Sequence, residues 1–237
     1  GSSLVGSEMC IRDRNKTAIM LAILISTAAI SWNFPSPFIV MLSYIGIFAA
    51  AIASVVTFGF WMPFIGFIIN PRPYLAPKTW LVFAFGEGFF IGLISLSFET
   101  MFPGIVLEAV SLTFCVAATL LFLYKSGIVK PSQNFVLMVC SAVFGIFLFY
   151  IGTLIYSLVT GVSPEIFSGS SNASIGLSLF IVAMAAFSLV LDFDIIEQSA
   201  EYGSPKYMEY FGAMALVTTL IWLYIEILRL LAKFRSR

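Results

Sequence analysis

The chain has 237 residues, 60% of them hydrophobic, 16% aromatic and only 10% charged, with 12 basic and 12 acidic side chains and a net charge of zero. Soluble domains carry about a quarter charged residues, so the composition excludes an ordinary soluble domain and points to a polytopic membrane protein. The charge balance offers nucleic acid no basic footprint, and the absence of histidine removes the commonest zinc and haem ligand and the usual neutral-pH base.

The first fourteen residues, GSSLVGSEMCIRDR, do not share the pattern that follows. They resemble translated sequencing-adapter sequence, and residues 1–14 are expected to be a non-native leader ahead of a single membrane domain over 15–237. Runs of about 20 mostly apolar residues, bounded by polar or Pro/Gly punctuation, then predict seven membrane-crossing helices. The first covers 17–32 and ends at NFPSP. The second covers 38–62, ends at Pro63, and leaves 65–69 near the interface before NPRPYLAPK. The third covers 79–98, and ETMFPG turns it into the fourth, 105–124. YKSGIVKPS leads to the fifth, 134–160. The longer loop GVSPEIFSGSSNAS precedes the sixth, 175–196, and EQSAEYGSPKYME precedes the seventh, 210–232. The runs are continuous rather than alternating, which favours an all-α polytopic membrane helix bundle over a barrel. Trp32, Trp61, Trp80 and Tyr124 lie near span ends, as interfacial aromatics do. Cys10, Cys115 and Cys140 fit no metal spacing, and Cys115 and Cys140, inside apolar runs, read as small buried hydrophobes.

Lysine and arginine set the expected orientation. Lys16, Arg72, Lys78, Lys125, Lys130 and Lys206 flank the N-terminus and the ends of the even-numbered spans, whereas the other loops have none. The N-terminus and those ends are therefore expected to be cytoplasmic. The tail conflicts, because Lys233, Arg235 and Arg237 fall on the other side. Either the rule is overridden there or the seventh segment is re-entrant.

Ionisable residues within spans are costly and mark candidate function. Glu87, in FGEGFFIG, lies roughly 10 Å past Trp80 along a helix. Gly88 and Gly92 beside it form a small-xxx-small pair that lets another helix approach. Glu87 reads either as a functional acid or as one making an interhelical hydrogen bond. In LVLDFDIIEQ, Asp192 and Asp194 are about 200° apart on a helix, and Asp194, Glu197 and Glu201 share a side. A carboxylate there opposes the helix dipole, so this stretch is a candidate for proton sensing. Glu197 and Glu201 also read as a solvated helix end. In the seventh span, Thr219, Trp222, Glu226, Arg229 and Lys233 share a face, and Glu226 and Arg229 are spaced to pair. Glu108 opens the fourth helix, where the dipole welcomes an acid.

The stretches PGIVLEAVSLTF, LVLDFDIIEQSAEYGSPKYMEY and TLIWLYIEILRLLAKF resemble the bacterial Bax inhibitor-1/YccA family, with a match covering nearly everything from Asn15 onward. The resemblance implies seven helices with the seventh central, wrapped by six. It also implies a pH-sensitive calcium leak across a bacterial cytoplasmic (inner) membrane. The family's latch is an aspartate on the sixth helix and one on the seventh, supported by an arginine on the second. Asp194 matches the sixth-helix position, with Asp192 beside it, making Asp194 the principal expected pH-responsive group and this pair the expected calcium contact. Thr219 stands near the seventh-helix position, and the second span has no arginine, so half of that latch is missing. Glu87 and Glu226 are the acids available to replace it, and Arg229 is the intramembrane cation available to Asp194.

Two functions follow. The first is a pH-sensitive calcium or cation leak, with Asp194, Asp192 and Glu87 on the ion pathway and Glu226, Arg229, Glu108 and Thr219 in support; calcium is then cargo, and no cofactor is called for. The alternative is a non-transporting regulator whose partner, besides the lipid bilayer, is another integral membrane protein such as a membrane protease. An enzyme is not expected: no nucleophile stands with a base, and a two-aspartate protease needs acids on two facing helices, whereas Asp192 and Asp194 share one. Neither reading fixes the oligomeric state.

Overall fold

The computed structural model describes residues 2–58, 72–162 and 164–237, with side chains described from residue 15 onward except at 58, 167 and 168. Among the described residues there is helix and no strand. The helices are α1 (Ser2–Asn33), α2 (Pro37–Phe58), α3 (Ala76–Met101, entered through a 3-10 turn at Pro73–Leu75), α4 (Ile105–Lys125), α5 (Gln133–Thr160), the short α6 (Glu165–Ser168), α7 (Asn172–Glu201) and α8 (Tyr207–Arg235). All but α6 are long and apolar enough to cross a membrane, which gives seven spans.

The spans exceed the expected ones at most ends, because helical hydrogen bonding continues past the last apolar residue into the polar boundary. The expected end of the second span, with Trp61 and segment 65–69, lies outside the described residues. Helix α1 continues without a break from Ser2 through the expected leader. No periodic signal marked α6, a single turn within the longer polar loop before α7. Cys115 and Cys140, expected to be buried, are exposed on α4 and α5, on helix sides turned away from the protein interior.

Local chemistry sets the ends. Pro37 occupies the first position of α2, where its missing N–H is not needed, and the Ser36 hydroxyl accepts from the Ile39 amide at 3.3 Å. Ser132 caps α5 in the same way, accepting from Phe135 at 3.3 Å. Gly104, at φ 83°, lets α3 reverse into α4 within a few residues.

The chain forms two compact units, one of residues 1–100 and 194–218, the other of 101–193 and 219–237. Helices α7 and α8 contribute to both. They are also the most buried spans: 50% of the most apolar stretch of α8 and 44% of that of α7 lie inside, against 17% for α2, α4 and α5.

In the first unit α3 packs through glycines. Gly86 and Gly46 bring α3 and α2 together, where a Cβ on Gly46 would lie 2.9 Å from the Gly86 Cα. Gly88 and Gly92 seat α3 on α1 over Thr27 and Ser31, both buried. The small-xxx-small reading of Gly88 and Gly92 is therefore borne out as a helix–helix contact. At one end of this unit the Thr57 and Thr79 hydroxyls meet at 2.7 Å, and the Trp80 and Tyr210 rings lie 5.5 Å apart. Lys16 pairs with Glu209 there, its Nζ 3.7 Å above the Tyr210 ring.

The second unit is built on three seams of buried side chains. Helix α5 presents Val139, Val143 and Ile146, with Tyr150 next in line. Helix α7 presents Ser174, Ser178, Ile181, Ala185 and Ser188, all buried, and Asp192 follows at the same alternating spacing of four and three. That spacing keeps a straight stripe against a neighbouring helix. Helix α8 supplies Leu223, Ile227 and Leu228.

The tail settles the conflict over the seventh segment. Helix α8 runs unbroken to Arg235, whose guanidinium donates to the Pro103 carbonyl at 2.7 Å and to Glu108 at 2.6 Å. Arg237 donates to Asn172 at the start of α7. The tail thus ends beside the α3–α4 turn and the start of α7, and the seventh segment is one continuous helix long and apolar enough to cross a membrane. Two of its cations are engaged by protein oxygens, which weakens their pull toward an anionic leaflet. With single cysteines introduced for impermeant-reagent labelling, Ser236→Cys and Ser170→Cys should react from one side of the membrane and Ser204→Cys from the other. Labelling of all three from one side would refute the seven-span topology.

Candidate functional site

Asp192 sits on the buried stripe of α7, where the Thr219 hydroxyl of α8 donates to its carboxyl. Its Oδ2 is buried and has no hydrogen-bond partner among the described residues. Around this pair the second unit is apolar: Val139, Val143 and Leu191 form a cluster with Phe135, Val136, Phe187 and Trp222 against it. A buried carboxylate oxygen without a donor is costly and needs an explanation.

Asp194, the expected principal group, is placed differently. Its carboxylate accepts from Gln198 Nε2 at 2.6 Å, one turn further along α7. Glu197 and Glu201 are exposed, in keeping with a solvated helix end. Thr219, which stands where the resemblance places a seventh-helix acid, meets Asp192 rather than Asp194. Glu87 is half-buried between Gly86 and Gly88, both of which are buried in the helix contacts described above. No hydrogen bond to its carboxyl is present among the described residues.

Further along α8, Arg229 Nη1 donates to Glu226 at 3.0 and 3.2 Å, as their spacing predicted. The pair is joined by Tyr150 of α5, whose hydroxyl donates to Glu226 Oε1 at 2.6 Å and accepts from Arg229 at 3.4 Å. Arg229 is thus engaged within this triad rather than held in reserve for Asp194. Lys233, also buried, donates to Ser178 Oγ at 2.8 Å and to the Ser174 carbonyl at 3.3 Å. Glu108 pairs with Arg235 at the membrane edge. Removing the phenol with Tyr150→Phe takes away a charge-assisted bond to a buried carboxylate, a loss of about 2 kcal/mol of stability. Thermal unfolding in detergent should show a lowered midpoint; an unchanged one would mean that the triad is not formed.

Sequence reading missed three features. Glu209, which the sequence did not single out because an acid is ordinary in the first turn of a helix, is fully buried and paired with Lys16. Tyr150 resembled any aromatic in an apolar run. The α7 stripe was legible in principle, since Ser174, Ser178, Ser188 and Asp192 recur at helical spacing in a hydrophobic span. Among the described residues no cluster of three or more acids or cysteines is placed to hold a metal ion.

Seven apolar crossings carrying buried carboxylates, an arginine and a lysine define an integral membrane protein with a polar interior. The family model described as "Bax inhibitor 1 like" matches residues 5–236, nearly the whole chain. The chain belongs to the Bax inhibitor-1-like family. No curated protein and no solved structure matches it.

Proposed function

We propose that this protein is a proton-regulated leak for calcium or a similar cation across the bacterial inner membrane, with Asp192 as its proton-responsive carboxyl. The observation that carries this reading is the Asp192 Oδ2 atom, buried and without a donor among the described residues. Such an oxygen accepts either a proton or a hard cation, and calcium prefers oxygen ligands. The Thr219 hydroxyl holds the other side of the group and orients it. Asp194, two residues nearer the end of α7, and Glu87 of α3 are the other acids assigned to the ion pathway in this reading. The lysine- and arginine-bearing loops face the cytoplasm in this reading, as does the N-terminus.

The test is calcium entry into vesicles containing the purified protein, followed with an enclosed dye across a range of pH. Entry that changes with pH supports the leak. Silence at every pH overturns it and leaves the non-transporting regulator, whose partner would then be sought among integral membrane proteins.

A further inference from the structure

One side of α8 carries polar residues in layers. Thr219, Trp222, Glu226, Arg229 and Lys233 fall within about 80° of one another around the helix. Thr219 forms a layer with Asp192. Glu226 and Arg229 form another with Tyr150, and Lys233 a third with Ser178 and Ser174. The Cα levels of Thr219 and Glu226 are about 10 Å apart along the axis.

What lies between the first two layers is apolar. Trp222 packs against both buried clusters of the second unit, the one of Val139, Val143 and Leu191 and the one of Ile146, Ile181 and Met184. Phe187 of α7 does the same. The buried α5 residues of these clusters are Val139, Val143 and Ile146. On α7, Ala185 and Ile181 are apolar, and the Ser188 hydroxyl turns back to its own helix, donating to the Met184 carbonyl at 3.0 Å. An ion or a file of water crossing this stretch would lose its hydrogen-bonding partners, a heavy penalty for a charged species.

We infer that Trp222, backed by Phe187, is an apolar plug that separates the Asp192–Thr219 layer from the polar tail-side half of the second unit. The plug is a property of the packing; its consequence for ion flow rests on the leak reading above. Opening requires the indole to leave the layer, and removing it should connect the two polar regions.

Thiol accessibility tests this without relying on flux. Cys10, Cys115 and Cys140 are replaced by serine, Thr219→Cys is introduced, and sealed vesicles are exposed to a membrane-impermeant methanethiosulfonate from the tail side, with Ser236→Cys as the marker of that side. With Trp222 in place, or replaced as Trp222→Phe, Thr219→Cys should stay unlabelled from the tail side. Trp222→Ala should make it react from there. Phe187→Ala should do the same and serves if the first variant does not fold. Labelling from the tail side with Trp222 intact overturns the inference, as does continued protection in the folded alanine variants. Calcium entry is measured in parallel vesicles holding the same Trp222 and Phe187 variants and the wild type, all with Thr219 retained. Gained labelling with no calcium entry in any variant at any pH leaves the plug standing and removes the leak reading. Calcium entry in the wild type with labelling never gained does the reverse.

Discussion

Asp192→Asn should abolish the pH dependence of calcium entry. The amide keeps the size of the side chain and its bond to Thr219 while removing the ionisable oxygen. The wild type, with one carboxyl in control, should change its flux by at most about tenfold per pH unit, since one group binds one proton. The variant should show a flat profile fixed at the wild type's acid-limb value, because asparagine imitates the protonated acid. Glu201→Gln, on the exposed end of α7, should leave the profile intact. Asp194→Asn removes a carboxylate already engaged by Gln198 and should move the profile less than Asp192→Asn does. An Asp192→Asn protein with the full wild-type response would place the sensor elsewhere, with Glu87 the next acid to examine.

Gly88→Leu should prevent recovery of folded protein. A Cβ at Gly88 would stand 2.7 Å from the Leu24 carbonyl oxygen and 3.1 Å from the Leu24 Cα, with Thr27 Oγ1 closer still. The threonine can rotate away; the α1 backbone cannot, so the helices must separate. Even Gly88→Ala should cost about 1–3 kcal/mol, and the larger side chain more. Thr27→Ala should not restore the leucine variant, because the Leu24 carbonyl stays where it is. The contrast is Gly152→Ala in α5, where nothing lies within 4 Å of the added atom. There the expected change is a gain of about 0.5–1 kcal/mol from backbone entropy. Unfolding midpoints in detergent decide the matter: a Gly88→Ala midpoint equal to that of the wild type would mean that α1 and α3 do not approach as described.

The spans were legible because crossing hydrocarbon demands length and apolarity, and both are written along the chain. The pair Glu226–Arg229 and the glycines at 88 and 92 were legible for a related reason, since helical periodicity fixes which residues share a face. Partner choice between helices was not. Nothing local distinguishes Tyr150 from Tyr156, yet one reaches Glu226 and the other is exposed. Lys16 looked like a topological charge and proves to be the partner of a buried acid. The preference for Asp194 over Asp192 came from matching positions on one helix. Which of the two meets Thr219 depends on the rotation of α7 against α8, a tertiary quantity that periodicity leaves undetermined.

The buried stripe of α7 also bears on how the protein enters the membrane. Until α8 follows it, that helix would show lipid the hydroxyls of Ser174 and Ser178 and the carboxyl of Asp192, groups that hydrocarbon penalises. Helix α8 brings the complement in reverse order, Thr219 to Asp192 first and Lys233 to the two serines last. Each helix masks what the other cannot expose. Insertion of the two as a preformed hairpin, joined by the short turn at Gly203, is then the cheaper route than one after the other, and a chain interrupted between them would leave α7 poorly retained in the bilayer.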